Sequence, residues 1–464
     1  MQLKTMQLIE KFKQYPLRQG DGFIREVLTV AWPMVLQQLL TCSVTLLDNL
    51  MVGQLGDMEI SGVAVASKFL MVAQYAVFGI AAASGVYIAQ YHGAKKKEEV
   101  HQSYRFSFVV SLLIAVLFAV PAILAPGSIG RFFTADTGIQ DPIKSYLPTA
   151  AAAMVVQVFS LTSQNAMRCM GETRLPLFLS SVAVVGNTVF NYIFIFGHLG
   201  VPAMGVYGAA LGTLCARALE MLVTAWVSFR HEAQLAQALF RFWDIPKKLA
   251  IGISKRALPL CVNEIGFGSG MAMVFKFYGT RGGEVLAAMN IMGTVSELFF
   301  VLFSGMAIAT TVVVGQALGA NELEKARSNA YRLYQLSMII GVFFTFLMFL
   351  SSFIFPQFYN VSEEVRGMAI YFIRVYSFFY LIYTSNAAAY FVLRAGGDSK
   401  NTLKMDAGWF WFVNIPIVAA AAYFTDWNVT VLFFIGQMTD FFKSFIAMPM
   451  LVKETWLRNL TAEN

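Results

Sequence analysis

Twelve mostly apolar stretches, each long enough to cross a bilayer, govern what this 464-residue chain can fold into. A helical span needs roughly 20 such residues. The stretches lie at about 26–49, 60–89, 105–124, 145–165, 176–197, 205–228, 254–277, 285–314, 330–354, 368–392, 405–424 and 428–451. In hydrocarbon no water is available to bond exposed N–H and C=O groups, so each stretch satisfies its own backbone as a helix. Composition points the same way, with 57% apolar and only 13% charged residues, against about 25% charged in a soluble domain. The expected fold is an all-α polytopic membrane protein. A disordered chain, a collagen and a disulfide scaffold are excluded.

The charges orient the spans. When residues at span ends are counted with the adjoining connection, the connections on one side hold 25 Lys and Arg and those on the other 5. Four more (Lys68, Arg217, Arg374, Lys443) fall within spans. Basic connections stay in the cytoplasm, which puts both termini of a multi-pass protein inside; the expected place is the bacterial cytoplasmic membrane. The first 25 residues are polar and mixed, and read as an amphipathic stretch on that face. The net charge of +7 belongs to these loops and gives no reason to expect nucleic acid as a partner.

The chain also repeats itself. At an offset of 226, Pro33 falls on Pro259, Gly53 on Gly279, Gly56 on Gly282, and Gln90, Gly93 and Ala94 on Gln316, Gly319 and Ala320. Arg168 falls on Arg394, Gly171 on Gly397, Thr213 on Thr439 and basic Arg217 on basic Lys443, without a gap from 33 to 217. Six spans per repeat is an even number, so both repeats enter from the same side. The predicted architecture is two six-helix lobes related by a pseudo-two-fold along the membrane normal, as in transporters. The boundaries are an N-lobe over 1–235, a cytoplasmic linker over 236–253 and a C-lobe over 254–464.

Charges inside a bilayer cost about 2.5–3.5 kcal/mol each on insertion scales, so they face protein or water. Arg217 with Glu220, and Asp440 with Lys443, are three apart and share a helical face. Both read as self-neutralised structural pairs. Glu264 and Glu297 have no base one turn away, and their repeat counterparts are Gln38 and Met71. Either is a carboxyl bonded to a neighbouring helix or a carrier of substrate or proton, in a cavity with Gln38 and Asn263. Asp406 reads as an interfacial residue. For Asp48, before the Gly53-Gln-Leu-Gly56 turn, a helix-end carboxylate and a cation ligand stand equally. Asn187 and Asn191 lie one turn apart on the fifth span. The four central acids outnumber the two central bases, so an enclosed cavity would attract cations.

Signs of enzyme chemistry are missing from the sequence. It has no phosphate-binding G-x-x-x-x-G-K-[ST] loop and no H-E-x-x-H pair. Cys42, Cys169, Cys215 and Cys261 are scattered, with neither metal nor disulfide spacing. Asn360 and Asn428 each begin a glycosylation sequon in an outer loop.

Several motifs look familiar together. Trp32-Pro33, Asp48 with Gly53-Gln-Leu-Gly56, and Gln90-Tyr-His-Gly93-Ala94 resemble the multidrug and toxic compound extrusion (MATE) family. So do Arg168-Cys-Met-Gly171-Glu-Thr, its copy Arg394-Ala-Gly-Gly397-Asp-Ser, and Gly315-Gln316-Ala-Leu-Gly319-Ala320. The resemblance implies a secondary antiporter. It would export organic cations, drugs or related metabolites against inward H⁺ or Na⁺ by rocking two lobes around a central acidic cavity. It implies an N-lobe cation site at Asp48, Asn187, Asn191 and Thr213, with Na⁺ as one ion that Asp48 would take. Some members carry a second Asp where this chain has Asn191. Val262-Asn263-Glu264 resembles a form common in the family, while Tyr383-Thr-Ser-Asn386 lacks the tenth-helix acid of other members. The further expectations are no cofactor beyond the coupling ion, a small cationic or amphipathic substrate, contact with membrane lipid, and a monomer. A dedicated metabolite exporter of this architecture stays open. A flippase for lipid-linked glycans is the other alternative, disfavoured by twelve spans and central acids.

Overall fold

In a computed structural model the chain is described for residues 10–17, 22–133, 138–230, 234–359 and 361–462, excluding the side chains of residues 45, 46, 49, 50, 53, 57, 60 and 133. Among these, twelve helices are long and apolar enough to cross a membrane. The first repeat contains α1 (Phe23–Gly53), α2 (Asp57–Gly93), α3 (Lys97–Leu124), α4 (Gln140–Cys169), α5 (Arg174–Phe196) and α6 (Gly205–Arg230). The second contains α7 (Lys247–Gly279), α8 (Gly283–Gly319), α9 (Leu323–Ile354), α10 (Glu363–Ala395), α11 (Ser399–Phe424) and α12 (Val429–Val452). The expected span number holds. Several helices outrun their apolar cores by a turn or two, since a helix continues into polar sequence until a turn stops it.

The repeat is visible in those turns. α2 and α8 start and stop 226 residues apart. Gly56 and Gly282, which precede them, take φ of 139° and 120°. Gly171 and Gly397, after α4 and α10, take φ of 95° and 75°. Side chains rarely tolerate this half of φ space, so glycine is needed at both copies of each turn.

The described residues form two compact units, one within 33–261 and the other within 10–32 and 262–462. This differs from the division at 235 and 254 expected from the sequence. The change of unit falls inside two continuous helices, at Pro33 in α1 and just after Pro259 in α7. A proline removes one backbone bond from a helix and weakens it there. The core of the second-repeat unit therefore includes Tyr15, Phe23, Val27 and Val30 from the first 32 residues, packed with Val314, Tyr331 and Trp456.

α11 is not a uniform helix. Lys404–Gly408 and Phe410–Asn414 wind as π turns between Ser399–Leu403 and Ile415–Phe424. Asn428 caps α12 by accepting from Thr430 N at 3.0 Å, which gives one expected sequon a structural role. Asn360 of the other lies outside the described residues.

Candidate functional site

Two glycines build the first site. Gly208 and Gly212 are four apart on α6, on one face. A Cβ on Gly208 would stand 2.4 Å from Phe194 O, and one on Gly212 would stand 2.1 Å from Asn191 Oδ1. Small residues at this spacing let helix backbones approach closely, so α6 lies tight against α5 and Thr213 reaches Asn187.

Asp48 of α1 completes the cluster. Asn191 Nδ2 donates to Asp48 Oδ1 at 2.9 Å. The Asn187 amide, turned as its neighbours require, donates to Asp48 Oδ1 at 2.8 Å and Oδ2 at 3.0 Å. It also lies 3.3 Å from Thr213 Oγ1, whose hydroxyl donates to Ala209 O at 3.0 Å. All four residues singled out for a cation site thus come together within one unit. The buried Asn191 Oδ1 has no hydrogen-bond partner. A buried acceptor without a donor carries a desolvation cost that a bound cation or a proton-bearing group would remove. Among the described residues no three of His, Cys, Asp and Glu group as metal ligands. One carboxylate with neutral oxygens suits a single positive charge, a monovalent ion or a proton, better than a divalent metal.

A second set of polar contacts lies behind Pro33. Gln37 Nε2 donates to Ser180 Oγ at 2.5 Å, and Ser180 to Gln164 Oε1 at 3.2 Å. Gln164 Nε2 donates to Glu220 Oε1 at 2.7 Å, and Arg217 pairs with Glu220 at 2.8 Å. Arg168 Nη1 reaches Gln37 Oε1 at 3.5 Å. The expected Arg217–Glu220 pair is present, with Gln164 satisfying the other carboxylate oxygen.

The second repeat builds a polar network at the matching positions, with different residues and mostly different bonds. Asn263 Nδ2 donates to Asp406 Oδ2 at 3.1 Å and Tyr390 OH at 3.2 Å, while its Oδ1 accepts from Ala407 N at 3.0 Å in the first π turn. Asn263, Asp406, Tyr390, Arg394 and Lys443 stand 226 positions after Gln37, Ser180, Gln164, Arg168 and Arg217. The sequence reading missed this correspondence. Arg168 and Arg394 were matched in register, and the same register applied to Gln37 and Ser180 was the available signal.

Four expectations need correction. Lys443 is not chiefly paired with Asp440, which lies 3.9 Å away; its close partner is Asp406 at 2.9 Å. Asp406 is therefore a member of an interhelical ion pair and not simply an interfacial residue. Glu264 faces Arg394 of α10 at 3.4 Å, each side chain 26% exposed, a base that no inspection of its own helix would find. Glu297 is exposed and joins neither Glu264 nor any other described residue by a hydrogen bond or ion pair. Among the described residues Gln38 reaches only Cys42 Sγ, at 3.8 Å, and it is the adjacent Gln37 that enters the network.

The repeats differ where Asp48 sits. In the second, Asn414 Nδ2 donates to Thr439 Oγ1 at 2.6 Å, whereas the Asn187 nitrogen is turned to Asp48 and away from Thr213. The position equivalent to Asp48 is Val274, so the carboxylate belongs to the first repeat alone.

Comparison with known proteins turns on the same offset. The MatE family profile matches twice, over residues 33–193 and 259–419, two ranges displaced by 226. The chain belongs to the MatE family. It is a transporter and not an enzyme, and its twelve helices make it a multi-pass membrane protein. Among relatives, a probable multidrug resistance protein NorM of Oceanobacillus iheyensis is 23% identical over 401 residues, covering 85% of this chain and 88% of that protein. The multidrug resistance protein MdtK of Yersinia pseudotuberculosis is 23% identical over 401 residues, covering 84% and 86%. Among solved structures, a MATE protein in complex with MaL6 has a TM-score of 0.85 at 18% identity, covering 94% of this chain and all of that one. A variant of the Vibrio cholerae MATE transporter VcmN has a TM-score of 0.86 at 18% identity, covering 94% and 98%. These likenesses establish the MATE fold of two six-helix lobes.

Proposed function

We propose that this MATE protein is a secondary antiporter, exporting small cationic or amphipathic molecules, including drugs, in exchange for inward H⁺ or Na⁺. The observation that carries the reading is Asp48, held by two amides beside an unpartnered Asn191 Oδ1. The names of the relatives, multidrug resistance proteins NorM and MdtK, support drugs among the substrates.

In this reading a cation loads Asp48 and neutralises it. The Asn187 and Asn191 amides then lose the anion they donate to and turn their oxygens toward the ion. α1, α5 and α6 repack, and affinity for substrate falls. Release of the ion to the cytoplasm restores the first arrangement. In the second-repeat network, Glu264, Asp406 and Asp440 outnumber Lys443 and Arg394, which leaves one surplus carboxylate for a substrate's positive charge. Glu297 takes no part.

One net charge crossing 100 mV supplies about 2.3 kcal/mol, close to fiftyfold in concentration at 1.4 kcal/mol per tenfold. One-for-one exchange of a monovalent cation for H⁺ moves no net charge and draws on the pH gradient alone. The test is purified protein in liposomes, with uphill substrate movement measured under separate H⁺ and Na⁺ gradients. Export should follow one of these gradients; movement that only runs downhill under both would mean a channel or a uniporter.

A further inference from the structure

We propose that the connection between α6 and α7, residues 235–248, is an interfacial anchor that binds the acidic headgroups of membrane phospholipids. One face of this segment is fixed to the protein. Leu235, Ala236 and Ala238 are buried. Arg105 of α3, itself buried, donates from Nε to Ala238 O at 2.8 Å and from Nη1 to Asp244 O at 3.2 Å. The same guanidinium pairs with Glu98 at 2.7 Å and Asp244 at 3.5 Å. Gln237 reaches Phe229 O at 3.3 Å.

The other face is apolar and basic at once. Phe240, Phe242 and Trp243 are 69%, 50% and 69% exposed. Around them Arg230, Arg241, Lys247 and Lys248 are exposed as well. The one acid among the described residues of the segment, Asp244, faces Arg105.

The repeat shows that this outer face is not a by-product of attaching the segment. Residues 10–17, which lead into the first repeat, stand 226 positions before 236–243 and are fastened in a similar way to the third helix of the second repeat. There Arg332 of α9 donates to Leu17 O at 3.2 Å, and Gln335 to Tyr15 O at 2.8 Å. The positions matching Phe240, Phe242 and Trp243 are Gln14, Pro16 and Leu17. A segment with this attachment therefore forms without exposed aromatic rings.

Its position supplies the partner. The segment joins the ends of two spanning helices, which places it at the boundary between bilayer and water. Aromatic rings settle at headgroup level there. Basic side chains beside them draw anionic lipid, each contributing roughly fivefold near a charged surface. Water alone would leave three large rings exposed without compensation, and a neutral headgroup would offer Arg230, Arg241 and Lys247 no counter-charge.

The test uses the full chain in vesicles of phosphatidylcholine with a minority of phosphatidylglycerol, bromine being placed on the acyl chains of one lipid or the other. The fluorescence difference between wild type and Trp243→Phe reports on Trp243. Per mole of lipid, brominated phosphatidylglycerol should quench that signal several-fold more than brominated phosphatidylcholine. R241Q/K247Q/K248Q should bring this preference down to near parity while Trp243 stays quenched by both lipids. Equal quenching by the two lipids in wild type, no quenching by either, or a preference unchanged in the triple variant would each overturn the proposal. Elution as a single species shows that the variants are folded.

Discussion

Lys443 of α12 lies 2.9 Å from Asp406 on α11 and 3.9 Å from Asp440 one turn back on its own helix. The shorter contact crosses between helices and so ties α11 to α12 where the π turns loosen α11. The pair is largely shielded, and removing one partner leaves a charge without compensation, which costs more than removing both. Asp406→Asn and Lys443→Gln should each lower the unfolding temperature in detergent. The double variant should be more stable than the sum of the two losses implies, with a coupling of about 0.5–3 kcal/mol. A strictly additive double variant would mean that the pair has no energetic existence.

Glu220 is buried and divides its oxygens between Arg217 and Gln164. Glu220→Gln keeps the shape but replaces an acceptor with a donor facing Arg217. The expected loss is about 1–3 kcal/mol, since hydrogen bonds to a charged group are among the stronger ones. Thermal unfolding in detergent measures it. Glu220→Asp should recover part of the loss.

Gly212 holds α6 against Asn191. In Gly212→Ala the new methyl would meet Asn191 Oδ1 at 2.1 Å and Asn191 N at 2.9 Å, so the amide or the whole helix must move. Transport driven by an imposed ion gradient should fall on the order of 10–100-fold, the usual effect of disturbing groups that orient an ion's ligands. Gly200, with nothing within 4 Å of its Cβ position and a positive φ, serves as a control that tests backbone strain without a clash.

How far the sequence could be read follows from the range of each signal. Span number and the internal repeat rest on features that lie along the chain: apolar runs, and glycines at turns that both copies require. Asp48, Asn187, Asn191 and Thr213 came from resemblance, and the structure joins them. The partners of Glu264 and Lys443 were not legible, because Arg394 is 130 residues from Glu264 and Asp406 is 37 from Lys443. A residue's own helix carries no trace of either. The π turns of α11 add a different obstacle. A constant offset pairs Asn187 with Val413, yet the wider winding brings Asn414 to Thr439 instead.

Glu454, just past α12, gathers the segment before α1. It pairs with Lys11 at 3.1 Å and with Arg327 at 2.8 Å, and accepts from Tyr331 OH at 3.1 Å. Tyr15 stacks on Tyr331 with the rings 6.0 Å apart and 2° from parallel, and its hydroxyl donates to Glu324 at 2.9 Å. Glu454→Gln should release residues 10–17 before any spanning helix loosens. Limited proteolysis should then cut near the N-terminus at least several-fold faster than in wild type, with the remaining fragments unchanged.

The account stands most directly on Asp48. Asp48→Asn is nearly isosteric and retains an oxygen for the amides of Asn187 and Asn191, so it should fold, elute and unfold like wild type. Reconstituted beside wild type, with substrate export followed under imposed H⁺ and Na⁺ gradients, it should show no uphill export under the gradient that drives wild type. Uphill export at the wild-type rate by Asp48→Asn would contradict the account, because the ion would then be coupled through a different group.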